Sequence, residues 1–148
     1  MSKPDPLPFA VTLHVRDSCL CLHVQRAARA MARRYDEALR PAGLTSGQFS
    51  LMMSLNRPEP PTMGQVAALL AMDRTTLTAN LKPLVRRGLV KVVADEADRR
   101  SRRLRLTPAG RAALAKAMPL WEEAQAETGR LLGRAAPARL RADLIALS

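Results

Sequence analysis

Aromatic side chains are nearly absent from this chain: one Trp, one Tyr and two Phe in 148 residues. A core must therefore be filled by aliphatic side chains and by the seven Met. Cysteine is equally scarce, with only Cys19 and Cys21, so a disulfide-stapled scaffold is excluded. No apolar run reaches the roughly 20 residues that a membrane-spanning helix needs. The opening residues hold one Lys but no long apolar stretch and no small-residue cleavage pattern. No signal peptide is expected there, and a cytoplasmic location is. There is no Gly-rich phosphate loop, no metal-ligand cluster and no Ser/His/Asp arrangement. The chain is therefore not expected to be an enzyme or to hold a metal or cofactor. Acids are the last deficit: thirteen against twenty-four Lys and Arg, a net charge of +11. Such a balance points to a polyanionic partner, nucleic acid first and anionic membrane second. Residues 111–134 fit a membrane-surface helix only loosely, with Ala at most apolar positions, so no membrane partner is expected.

What is present is mostly helical pattern. Three prolines in the first 15 residues read as an extended arm. From about Asp17, Cys21, Val24, Ala28, Met31, Tyr35 and Ala38 recur at three- and four-residue steps, one face of a long helix closed by Gly43. Thr45 with Gln48, and Thr62 with Gln65, have capping-box spacing and open two short helices. Asp73 caps a third, "RTTLTANLKPLVRRG", which contains Pro83 and ends at Gly88. "LVKVVAD" and "RRLRLT" flank "EADRRS" as a hairpin, with Leu104 and Leu106 alternating with Arg103 and Arg105. Thr107 and Pro108 start a long helix running to about Arg134, and a short amphipathic helix follows.

Two short helices and a hairpin in this order make a winged helix-turn-helix. The start of its second helix offers Arg74, Thr75, Thr76 and Thr78 to base edges in a major groove. Asn80, Lys82 and Arg86 lie further along, within reach of phosphates or bases. Residues 82–105 hold nine Lys or Arg against three acids, more than half of the net charge. Arginines at the hairpin tip suit the negative potential of a narrow minor groove.

The segments "MDRTTLTANLKPLVRRGLV" and "DEADRRSRRLRLTPAGRAAL" resemble the recognition helix and wing of MarR-type regulators (multiple antibiotic resistance regulators). "YDEALRPAGLTSGQFSLM" resembles their first and second helices. The resemblance covers residues 17–148. Its most specific part falls on Asp98, Arg100, Leu106, Thr107 and Gly110. It implies a mainly α fold with a small β-hairpin wing, and a homodimer bound to a pseudo-palindrome in double-stranded DNA, usually repressing nearby genes. It places Arg100 in the minor groove, Asp98 in support of the wing tip, and residues 74–82 in the major groove. The organisation expected is an arm over 1–16, helical dimerisation regions over 17–44 and 108–148, and a DNA-binding domain over 45–107. Leu140, Leu144 and Leu147 form a stripe on a helix too short to stand alone, which also asks for a partner. A non-specific basic DNA-binding protein is a third, weaker reading.

On one continuous helix, Cys19 and Cys21 point about 200° apart and act as two single thiols. Cys21 shares a face with Tyr35, an arrangement similar to the organic-hydroperoxide-sensing (OhrR-like) branch of the family. There a reactive Cys is hydrogen-bonded to tyrosines. Gln25 stands here where the nearer tyrosine falls. The alternative is that Cys21 is a small hydrophobe in the dimer core. Cys19 and His23 are helical neighbours, but two ligands do not make a metal site. Family members also bind aromatic acids or other phenolics between the dimer base and the winged domain. Candidate residues for such an effector pocket are Arg26, Tyr35, Phe49, Met52, Met53 and Trp121, each of which is also a natural core or surface residue.

Overall fold

The computed structural model describes residues 5–133 and 136–148. It divides into two compact units, one up to Arg34 and one from Tyr35 to Ser148. In the first unit the arm expected to be extended is helical from Phe9: α1 spans Phe9–Ser18. The prolines that suggested an arm all precede Phe9, and Pro8 stands at the helix N-cap, where a missing N–H costs nothing. Cys19 also departs from the expected continuous helix. It takes ψ 110 and ends α1, its N–H donating to the Val15 carbonyl. Helix α2 then begins at Leu20 and runs to Leu39. Cys19 Sγ accepts from the Leu22 N–H at 3.4 Å, the reach of an N-cap side chain. The two cysteines therefore do not share one regular helix, and the 200° relation does not hold for them.

The second unit carries the buried core. Asp36 accepts from the Ser46 N–H at 2.6 Å, and the Tyr35 hydroxyl donates to Gln125 Oε1 at 2.6 Å. A 3-10 turn, Arg40–Ala42, closes on Gly43 at φ +72, a left-handed position that glycine adopts freely. Helix α3 (Ser46–Ser54) and helix α4 (Met63–Leu69) each begin with a complete capping box, Thr45 with Gln48 and Thr62 with Gln65. Helix α5 (Arg74–Arg86) is capped by Asp73 and tolerates Pro83 inside it. Strands β1 (Val90–Ala94) and β2 (Arg102–Leu106) pair antiparallel, Val90 opposite Leu106 and Ala94 opposite Arg102.

Helix α6 (Pro108–Leu131) follows a Thr107 cap and stops three residues before the expected end. The reason is Gly133, which takes φ +60, and Arg134 lies outside the described residues. Helix α7 spans Pro137–Ala146. Leu39, Leu51, Met52, Val66, Leu77, Leu84 and Leu104 are fully buried in one cluster. Aliphatic side chains and Met52 thus do the work that aromatics do elsewhere. Phe49 adds the one aromatic pair, stacked on Trp121 with centroids 6.1 Å apart. The result is mainly helical with a small hairpin wing.

Candidate nucleic-acid interface

Helix α5 is held by one face. Leu77, Leu81 and Leu84 recur at four and three residues and are buried. At 100° per residue, Thr75, Lys82 and Arg86 point away from that stripe. All three are exposed. Thr78 points to the side facing the hairpin, and lines a recess there with Lys82 and Arg86. Asn80 turns to the other flank, where it lines a hollow with Thr45 and Gln48. The candidate reading residues are therefore spread over three sides of the helix.

Hydrogen bonding separates them further. Asp73 accepts from the Thr76 N–H and from the Thr76 hydroxyl, both at 2.8 Å. These bonds, the backbone one first, hold the Asp73 carboxyl below its ordinary range. The Thr78 hydroxyl donates back to the Arg74 carbonyl at 2.8 Å, and Asn80 Nδ2 lies 3.5 Å from Met72 Sδ. Thr75 makes no side-chain hydrogen bond among the described residues and leaves its hydroxyl for an outside partner. The turn before α5 passes through Ala71 at φ +50, a strained place for a residue with a Cβ.

The wing is braced at its tip and at its stem. Asp98 Oδ1 accepts from the Arg100 N–H at 3.0 Å, and the Ser101 N–H donates to the Asp98 carbonyl at 3.0 Å. Arg102 folds back onto the carbonyls of Arg99 and Ser101. The Arg99 and Arg100 side chains stay exposed. At the stem, Asp95 is the one buried charged residue of the described chain, 8% exposed. It accepts from the Ala97 N–H at 3.1 Å and pairs with Arg103 Nε at 3.2 Å, which together lower its pKa. Arg103 Nη1 also donates to the Pro60 carbonyl at 2.6 Å, and the Leu104 N–H to the Pro61 carbonyl at 2.9 Å. The wing is thereby tied to the loop before α4. Sequence reasoning did not find this bracket. Its partners are 43 residues apart, and an Arg on a basic strand carries no signal of what it faces.

Between α5 and the wing lies an open recess of about 530 Å³. Met63, Leu81, Val85 and Val92 make it apolar, and Lys82, Arg86 and Arg102 stand around it. Val85 and Val92 are each 42% exposed.

The residues set aside for an effector fall in different surroundings. Phe49 and Met52 are core, and Met53 and Trp121 are partly buried against it. Tyr35 is bound to Gln125. Arg26 lines a groove along α2 with His23, Arg29 and Arg33. Cys21 is exposed. His23 bonds the Cys19 carbonyl through Nδ1 at 2.7 Å. Among the described residues, no helix is long and apolar enough to cross a membrane.

Residues 42–101 match the MarR family. The chain is 45% identical to the Mycobacterium tuberculosis transcriptional regulator MosR, solved in complex with DNA. That match covers 88% of this chain and 93% of the other, with a TM-score of 0.80. It is 25% identical to BpsR of Bordetella bronchiseptica, covering 97% of this chain and 95% of that one at a TM-score of 0.73. The DNA binding of BpsR is regulated by 6-hydroxynicotinic acid. BadR, a transcriptional activatory protein of Rhodopseudomonas palustris, is 33% identical over 95 residues, 62% of this chain and 54% of that protein. The chain spans about half the length of the curated relatives it matches.

Proposed function

Because this chain belongs to the MarR family of winged helix-turn-helix transcription regulators, we propose that it acts as a homodimer on a pseudo-palindromic operator. Bound there it represses the neighbouring genes, and a small aromatic or phenolic effector releases it. The observation that carries the reading is exposed cationic surface in two places: Lys82 and Arg86 beside Thr75 on one side of α5, and Arg99 and Arg100 at the wing tip. These side chains are exposed, and no carboxylate pairs with them among the described residues. Cationic surface of this kind fits a phosphate backbone, with a helix to read the groove between.

Dimerisation is supported by apolar surface with nothing over it. Leu20, Val24 and Met31 on α2, and Leu140, Leu144, Ile145 and Leu147 near the chain's end, are exposed. Surfaces of that kind mark association sites. The effector class is supported by BpsR and its pyridine carboxylate. The recess between α5 and the wing, apolar inside and cationic around, also suits an aromatic anion, and an occupant there would stand against the reading helix. Repression follows if the operator overlaps the promoter. BadR, named as an activator, shows that a relative can act with the opposite sign.

Competition between a labelled duplex from the chain's own promoter region and an unlabelled scrambled duplex tests the reading. Retention against excess scrambled duplex is expected. Displacement by the scrambled duplex as complete as by the unlabelled promoter duplex would leave only a non-specific basic DNA-binding protein.

A second reading keeps the fold and replaces the effector with an oxidant acting at Cys21. It is favoured by the position of the thiols: Cys21 is exposed in the first turn of α2, and Cys19 sits at the break just before it. Release of DNA by peroxide in the wild type but not in Cys21→Ser would support it. Identical behaviour of the two would remove it.

A further inference from the structure

A hollow of about 320 Å³ opens where the loop after α3 meets β2 and the start of α6. Arg57 comes from the loop, Arg105 from β2 and Arg111 from the first turn of α6, and all three line it. The rest of its wall is largely Pro58, Pro60 and Pro108, rings that hold the backbone fixed around the cations. No carboxylate lines it, and the loop's one acid, Glu59, stands outside. The ion pairs among the described residues are Arg16 with Asp17 and Arg103 with Asp95, so these three guanidinium groups have no acidic partner there. Arg111 Nη1 is steadied by Asn56 Oδ1 at 3.3 Å.

The three arginines are exposed, and two further features add positive potential around them. Lys91 lies directly opposite Arg105 in the β1–β2 register, and like charges in that position repel. Helix α6 has no acid in its first turn, so its positive end is uncompensated. Three forked donors from separate chain segments line one concave, acid-free space, and a phosphate oxyanion is the kind of group such donors hold.

We propose that Arg57, Arg105 and Arg111 form a phosphate-binding site on the winged domain, separate from the reading face of α5 and from the wing tip. The phosphate belongs either to the duplex backbone beside the operator or to a free phosphorylated small molecule. The chemistry is the same for both, and the two sources separate by experiment.

The probe is inorganic pyrophosphate, titrated calorimetrically into the full chain without DNA at constant ionic strength. Saturable binding is expected. It should weaken about tenfold or more in Arg105→Gln/Arg111→Gln, which removes two charge-assisted donors. It should survive in Lys116→Gln/Arg130→Gln, which removes the same charge elsewhere on α6. If the first variant melts early, Arg105→Lys/Arg111→Lys keeps the charge and removes the fork, and the same loss is expected in weaker form. Duplex affinity of the same proteins then assigns the source. Weaker duplex binding, with a salt slope reduced by about one for each phosphate no longer held, assigns the phosphate to DNA. Unchanged duplex binding assigns it to a free ligand. Pyrophosphate and duplex binding that are the same in the cradle variants as in the charge-matched control would overturn the proposal. The pyrophosphate arm needs no operator, so it stands or fails independently of the regulatory reading.

Discussion

Arg103 Nε lies 3.2 Å from Asp95 Oδ1 while its Nη1 donates to the Pro60 carbonyl, so one side chain clamps the hairpin to the loop ahead of α4. The Leu104 N–H bond to the Pro61 carbonyl ties the same two segments. Arg103→Met should leave a buried carboxylate without its cation, lower the melting midpoint and weaken duplex binding by about tenfold. Thermal melts and fluorescence anisotropy check both. A variant with wild-type stability and affinity would mean that the clamp positions nothing.

Gly110 allows α6 to start against the wing. A Cβ there would clash with the Leu89 carbonyl oxygen, which the Thr107 N–H also uses at 3.1 Å. Gly110→Ala should therefore cost about 1–3 kcal/mol, the range for overpacking a tight contact. Urea denaturation measures it, and an unchanged midpoint would show that the junction yields freely.

The hydroxyls of α5, the helix proposed to read the groove, divide by what they already hold. Thr75→Ala should alter base preference and leave the melting midpoint alone, because its hydroxyl has no partner among the described residues. Thr76→Ala should lower the midpoint, because it removes a bond to the Asp73 cap. Selection of bound duplexes from a randomised pool, run beside thermal melts, distinguishes the two. The reverse pattern would exchange their roles.

Three aspartates are held below the ordinary carboxylate range. Asp73 is lowered by the Thr76 N–H and hydroxyl, Asp95 by the Ala97 N–H and then Arg103, and Asp36 by Ser46. A carboxyl with a folded pKa below its unfolded value contributes stability above the unfolded value and loses it as pH falls through the folded one. The melting midpoint should thus hold steady from neutral pH down to about 5 and drop below about 4. Asp95→Asn should start lower and show a shallower drop. An equally steep drop in that variant would place the acid sensitivity elsewhere.

Local chemistry was readable in the sequence because it depends on close neighbours. The capping boxes at Thr45 and Thr62, the Asp73 cap and the alternation of Leu104 and Leu106 all lie within four residues of what they act on. The break at Cys19 was not readable, because "RDSCLCLH" has no Pro or Gly to mark it and helical spacing continues on both sides. The helix in the arm was hidden by prolines that end just before it. The Arg103 clamp and the arginine-lined hollow depend on segments tens of residues apart, which no local pattern encodes. The resemblance named the reading helix as a whole. The structure added the Thr76 hydroxyl bond to Asp73 and the hollow that Asn80 lines with Thr45 and Gln48.

The proposed binding of a homodimer to a two-part operator is tested most directly by changing the spacing of the operator's two halves. Affinity is measured at fixed salt for the native spacing, for an insertion of about 5 base pairs and for one of about 10. A symmetric pair of winged domains should bind the native spacing tightly and lose most of that affinity when a half turn rotates one half-site to the far side of the helix. Equal affinity for the native and half-turn spacings would contradict it.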